Sequence, residues 1–134
     1  TENSLNAAPA DLNESLGLVE INSFDEQTSR IRMEYEARQA FCHSGGVVQG
    51  GFVTGWIDAA MAHSVILTTD YELSPLSLEI KITFLKSVSP GRVFAEAWIE
   101  KRGRSICFLE GQLLNEDGEI LAKGTSTSKL VTIK

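Results

Sequence analysis

From Gly51 to Thr68 the chain carries no Lys or Arg and one acid, Asp58, in the run Gly-Phe-Val-Thr-Gly-Trp-Ile-Asp-Ala-Ala-Met. A helix that is apolar nearly all round must be covered nearly all round, so this segment dictates what the rest of the chain has to build. At 1.5 Å per residue it is long enough to cross a small domain, roughly 27 Å. An ionised carboxylate in such a helix is costly to desolvate unless something pairs with it or uses it. Asp58 is therefore read as a functional group. The pair Gly50-Gly51 opens the helix, leaving backbone N–H groups bare and open to close approach, which suits a developing negative charge. An acid two turns beyond such a start is a candidate half of an acyl-transfer site.

The flanking segments alternate with the period of strands. Leu16 to Phe24 and Arg30 to Arg38 read as a pair, the second setting Ile31, Met33, Tyr35 and Ala37 against Arg32, Glu34 and Glu36. Gln39 to Gln49 is a loop holding Ser44-Gly45-Gly46, and Thr69 to Pro75 is a polar connection. Leu76 to Lys86 sets Leu78, Ile80, Ile82 and Phe84 against Glu79, Lys81 and Thr83. Arg92 to Lys101, Ser105 to Leu114 and Ile120 to Ile133 follow, joined by turns at Arg102-Gly103 and Asp117-Gly118. Residues 1–14 are polar and read as a loose arm or short helix on a single domain spanning 1–134. Two strands, one helix and four strands make an α+β chain, a curved antiparallel sheet wrapped around one helix that buries its sides against it. One sheet cannot cover every face of such a helix, so a homodimer is expected.

At 134 residues a single core buries about 68% of the unfolded chain's surface. The net charge of −6 argues against nucleic-acid binding, which needs a basic face. Cys42 and Cys107 are too few for a disulfide framework. His43 and His63 lack the neighbouring Cys or carboxylates of a metal site, so no metal is expected. No apolar run has membrane-spanning length and no basic-then-apolar leader opens the sequence, so the expected location is the cytoplasm without membrane association.

The stretch from His43 to Ser64 and the strands after it resemble the hotdog-fold acyl-CoA thioesterases, in particular the phenylacetate-pathway-like branch. That branch typically shows an Asn or Gln, then His-Gly-Gly, then an acid nine residues after the His. Here Gly50-Gly51 is the glycine pair and Asp58 follows Gln49 by nine. Leu76 to Lys86 with the Ser-Pro-Gly after it, and Gly103 to Gly118, also look like the family, so the likeness covers roughly 16–133. Two positions depart from it: the family's Asn or Gln is His43 here, and its His is Gln49.

The resemblance implies a hotdog fold, with a sheet of five to six strands around one helix, and sites built across a homodimer that commonly pairs into a tetramer. It implies hydrolysis of an acyl-CoA to free acid and CoA, with no cofactor, CoA being part of the substrate. Asp58 is the implied base or nucleophile, and the Gly50 N–H polarises the carbonyl beside Gly51. His43 and Gln49 exchange the roles of imidazole and amide, and Ser77 orients the attacking water. Lys86, Arg92, Arg102 and Arg104 are the candidate rim for the CoA phosphates. His63 reads as a packing or interface residue, and the acyl pocket is expected where Phe52, Trp56 and Met61 meet the partner subunit. Two other readings stay open: a hydroxyacyl-thioester dehydratase or hydratase using His43 and Asp58, and a non-catalytic acyl-CoA-binding protein.

Overall fold

A computed structural model describes residues 14–133. Within them the elements are β1 (Leu18–Asp25), β2 (Arg30–Ala37), a 3-10 turn (Gln39–Phe41), α1 (Gly50–Thr68), β3 (Leu73–Phe84), β4 (Gly91–Arg102), β5 (Ile106–Asn115) and β6 (Ile120–Thr132). The six strands form one sheet in the order β1-β2-β4-β5-β6-β3, every neighbouring pair antiparallel. The chain leaves β2, crosses the sheet as α1 and returns as β3 on the far edge. This is the hotdog architecture. All but the final residue of the proposed 1–14 arm lies outside the described residues, and Glu14 to Leu16 form a helical turn.

Alternation fixes which faces pack. Ile31, Met33, Tyr35 and Ala37 of β2, Ala95 and Ala97 of β4, and Leu109 and Leu113 of β5 are buried under the helix. The charged residues between them form an outer layer in which Arg32 meets Glu96 at 2.6 Å and Arg92 meets Glu34 and Glu36, each at 2.6 Å. From α1 the residues Val53, Trp56, Ile57, Ala60, Met61, Ser64, Val65 and Leu67 point inward, a spacing of three and four that marks one helix face. Gly111 and Gly124 are register partners on β5 and β6 beneath it. A Cβ at either would come 3.0 Å from Ile57 Cγ2, so the two glycines let the helix lie close on the sheet.

As expected of a single sheet, it covers one face of α1 and not every side: Gly51 and Asp58 are exposed, and Thr54, Gly55, Ala59, Ala62 and His63 are half-buried. One expectation is corrected: β3 begins at Leu73, inside the segment read as a polar connection, with Pro75 within it. Proline has no N–H to give a ladder, and β3 tolerates it because it is an edge strand. Asp70 and Tyr71, with φ of 55° and 67°, turn the chain sharply enough to leave only a short connection after the helix. The alternation of β3 is also interrupted. Ser77 pairs with Ser128 but Glu79 with Thr127, so Leu78 is an extra residue, a bulge. Leu78 is accordingly exposed instead of facing the helix with Ile80 and Ile82.

Candidate active site

Helix α1 starts where the loop before it is pinned on both sides. Val48 N–H donates to Val88 O at 2.8 Å and Gln49 N–H to Phe41 O at 2.9 Å. Gln49 is the N-cap, and its side-chain Oε1 accepts from Gly51 N–H at 3.1 Å. That leaves the Gly50 N–H with no acceptor among the described residues. A Cβ on Gly50 would come 3.2 Å from the Phe84 ring, so glycine keeps this N–H approachable. The positive end of the helix dipole adds to its pull on an anion.

Asp58 lies two turns further on, on the face that the sheet leaves uncovered. Burial of its surroundings pushes its carboxyl above the usual carboxylate range, and a hydrogen bond from Ser77 partly opposes this. Ser77 Oγ donates to Asp58 Oδ1 at 3.4 Å. The contact exists because of the bulge at Leu78. With regular alternation, a strand that turns Ile80 and Ile82 toward the helix turns residue 77 away, and the extra residue reverses that. The structure thus brings Asp58 and Ser77 together, while Gly50, eight residues before Asp58, is roughly 12 Å away along the same helix.

The other candidates lie elsewhere. His43 is exposed, and its Nδ1 accepts from Gly45 N–H at 3.3 Å inside its own loop. His63 has Nδ1 2.8 Å from Ala59 O, and desolvation lowers its pKa below the ordinary imidazole value against that bond. Lys86 is paired with Glu119 at 2.6 Å, and Arg92 is held by Glu34 and Glu36. Arg102 ends β4 and Arg104 lies in the turn before β5. Ten residues of strand, roughly 33 Å, separate Arg92 from Arg102, so the four cations do not form one cluster in the chain. Trp56 and Met61 belong to the core, and Phe52 stacks on Phe41 with ring centroids 4.1 Å apart. The space beside Gly50 is instead a groove of about 350 Å³ walled by Val47, Val53, Phe84, Leu85 and Val88. Its sequence signal was the apolar pair Phe84-Leu85 at the end of β3. Among the described residues no three His, Cys, Asp or Glu side chains gather as a metal-ligand set, and no helix is long and apolar enough to cross a membrane.

A family model described as the thioesterase superfamily matches residues 45–122, which include Gly50, Asp58 and Ser77 and begin after His43. The chain belongs to the thioesterase superfamily. Among solved structures, a phenylacetic acid degradation-related protein of Ralstonia eutropha is 30% identical, each chain covered to 92%, with a TM-score of 0.83. The PaaI protein of the phenylacetic acid degradation operon of E. coli is 18% identical with a TM-score of 0.82, over 92% of this chain and 88% of that one. A Streptococcus mutans protein solved with bound acetyl-CoA is 19% identical with a TM-score of 0.77, over 86% and 90%. The last two show the shared fold.

Proposed function

We propose that this thioesterase-superfamily chain hydrolyses an acyl-CoA to the free acid and CoA, in a site that two subunits share. The observation that carries the reading is Asp58: a carboxyl raised above its usual range, touched by Ser77, on a helix face its own sheet leaves uncovered. Gly50 is too far along the same helix to act on a carbonyl that Asp58 of that chain serves, so the Gly50 N–H of one subunit faces Asp58 of the other. The uncovered face of α1 supports a homodimer, as does the exposed edge of β3 with Leu76 and Leu78 more than half accessible. Two such dimers form a tetramer in this reading.

Asp58 as carboxylate takes a proton from a water that Ser77 helps to orient, and the oxygen attacks the thioester carbon. The oxyanion that forms is stabilised by the Gly50 N–H and the helix dipole. Collapse breaks the C–S bond and releases CoA as thiolate, a leaving group stable enough to need little help from an acid. Direct attack by Asp58, forming an anhydride that water then opens, uses the same groups. No metal or redox group takes part, and CoA enters only as part of the substrate. The S. mutans relative with bound acetyl-CoA supports this ligand class. The dehydratase reading has less support, since the His43 Nδ1 is engaged by its own loop.

The deciding experiment is release of free thiol from a panel of acyl-CoAs, followed with a thiol reagent. Hydrolysis that is lost in Asp58→Ala is the expected result. A panel on which the wild type releases no thiol refutes the reading, and hydration of an enoyl-CoA in its place points to the dehydratase.

A further inference from the structure

Among the described residues four serines are buried, and two of them are tied to the backbone. Ser64 Oγ donates to Ser29 O at 2.6 Å, and Ser29 Oγ accepts from Ile99 N–H at 2.8 Å. The other two hold each other. Ser126 and Ser128 of β6 stand on the helix side of the sheet, 5% and 0% exposed, with their Oγ atoms 3.0 Å apart. A buried hydrogen-bonded pair can be replaced by apolar groups of similar shape at little or no cost in stability. Stability therefore does not explain these hydroxyls, but their neighbours do. Ser126 is flanked across the sheet by Leu109 and Ile80, neither of which offers an acceptor. Ser128 is flanked by Cys107 and Ser77, a weak acceptor and a good one. Only donation from Ser126 to Ser128 leaves the remaining proton, that of Ser128, beside a hydroxyl on an adjacent strand.

Resting on the thioesterase reading, we propose that Ser128 is a positioning residue of the active site: with Ser126 behind it, it holds the Ser77 hydroxyl in the orientation that serves Asp58 and the attacking water. Directly opposed residues of an antiparallel pair have Cβ atoms roughly 5 Å apart, so one side-chain rotation brings the Ser128 and Ser77 hydroxyls into bonding range. A proton from Ser128 then occupies one lone pair of the Ser77 oxygen. The Ser77 proton stays on Asp58 Oδ1, and the second lone pair is left for water. Hydrogen bonds in such a file polarise one another. All four residues belong to one chain, which itself buries Ser126 and Ser128, so a partner subunit that completes the site leaves their order unchanged. Burial and Ser77 are what shift the Asp58 carboxyl, with no charged side chain among the causes. The titratable groups on the same side are Cys107, its register partner Arg102 and, on α1, His63 with Nδ1 at Ala59 O. Glu79, Lys81 and Lys129 alternate to the outer side of the sheet.

The experiment follows two quantities: the acid limb of turnover on an acyl-CoA that the wild type hydrolyses, and the titration of Asp58 by NMR of its carboxyl in aspartate-labelled protein. Both are measured for the wild type, Ser77→Ala, Ser128→Ala, the double variant and Ser128→Thr. Ser128→Ala should raise both by about 0.3 of a pH unit, roughly the share of a charged hydrogen bond that one donor behind it supplies. Ser77→Ala should raise them further. The double variant should go no higher than Ser77→Ala, because Ser128 acts only through Ser77. Ser128→Thr keeps the hydroxyl and should stay at the wild-type value. Circular dichroism checks folding, and Ser126→Ala, expected to shift both the same way by less, reads the file if Ser128→Ala does not fold. An Asp58 titration that Ser128→Ala leaves in place, shifts that add in the double variant, or a Ser128→Thr displaced as far as Ser128→Ala overturns the assignment. Continued thiol release in those cases leaves the thioesterase reading standing. A wild type that releases no thiol overturns that reading and the positioning role with it.

Discussion

Replacing Asp58 separates catalysis from stability unusually well, because the structure gives this side chain little to do for the fold. It is exposed in the chain, and among the described residues it joins no ion pair and has one long hydrogen bond, 3.4 Å from Ser77. Its carboxyl is destabilised as the anion by its surroundings, so removing the charge relieves a cost. Asp58→Ala and Asp58→Asn should therefore leave the unfolding free energy within about 0.5 kcal/mol of wild type, as surface substitutions usually do. Catalysis is another matter. A positioned base is worth about two to four orders of magnitude in turnover, roughly 2.7 to 5.4 kcal/mol of barrier at 1.36 kcal/mol per decade. Asn keeps the shape and can still accept from Ser77, so it tests the charge alone; it should be nearly as slow as Ala. The assay pairs thiol release on the best acyl-CoA with urea unfolding of the same samples. Turnover near wild type in Asp58→Asn would refute the base and nucleophile roles together. A large loss of stability in either variant would refute the claim that this acid is exposed for function.

Four further outcomes follow from the geometry. Mixing Asp58→Ala chains with Gly50→Val chains, after confirmed subunit exchange, should restore about a quarter of wild-type activity, since half the dimers are mixed and each holds one intact site of two; no recovery counts against the shared site. In the proposed mechanism Asp58 acts ionised, and burial raises its pKa, so turnover should fall on the acid side at a pH above the ordinary carboxylate range. Ser77→Ala removes the bond that lowers that pKa, so its acid limb should move to higher pH, and a limb that stays put or moves down contradicts the contact. Gly124→Ala should destabilise the fold by about 1 to 3 kcal/mol in urea unfolding, because its Cβ would come 2.8 Å from Ile82 and 3.0 Å from Ile57.

What the sequence made legible was the set of elements and the pairing of an acid with a glycine-opened helix, because both are written in local periodicity. The apolar helix did need covering, and the alternation of β2 placed Tyr35 and Met33 in the core. Three things escaped it for physical reasons. A bulge in β3 is one residue of slack in pairing with a partner far along the chain, so nothing local distinguishes Leu78 from Ile80. Ion pairs such as Arg92 with Glu34 join strands that only the sheet order brings together, so the basic residues looked freer than they are. The apolar pattern of α1 stated that one sheet could not cover it all round but not which side would stay bare, so it did not show that Asp58 is exposed. The exposed placement of His43 and the capping bond of Gln49 likewise depend on how the loop before α1 is tied to Phe41 and Val88.

The sheet order also governs the sequence of events as the polypeptide emerges from a ribosome. β1, β2, β4 and β5 can pair as they appear, but β3 must wait, since its one strand neighbour among the described residues, β6, follows only after β4 and β5. During that interval Ile80, Ile82 and Phe84 sit on an unpaired apolar strand beside the helix they are meant to cover. The nascent chain is then open to the wrong partner, another copy's β3 or any stray strand. Shortening or weakening β6 should therefore show first as aggregation during expression, before any loss of activity can be measured in the protein that does fold.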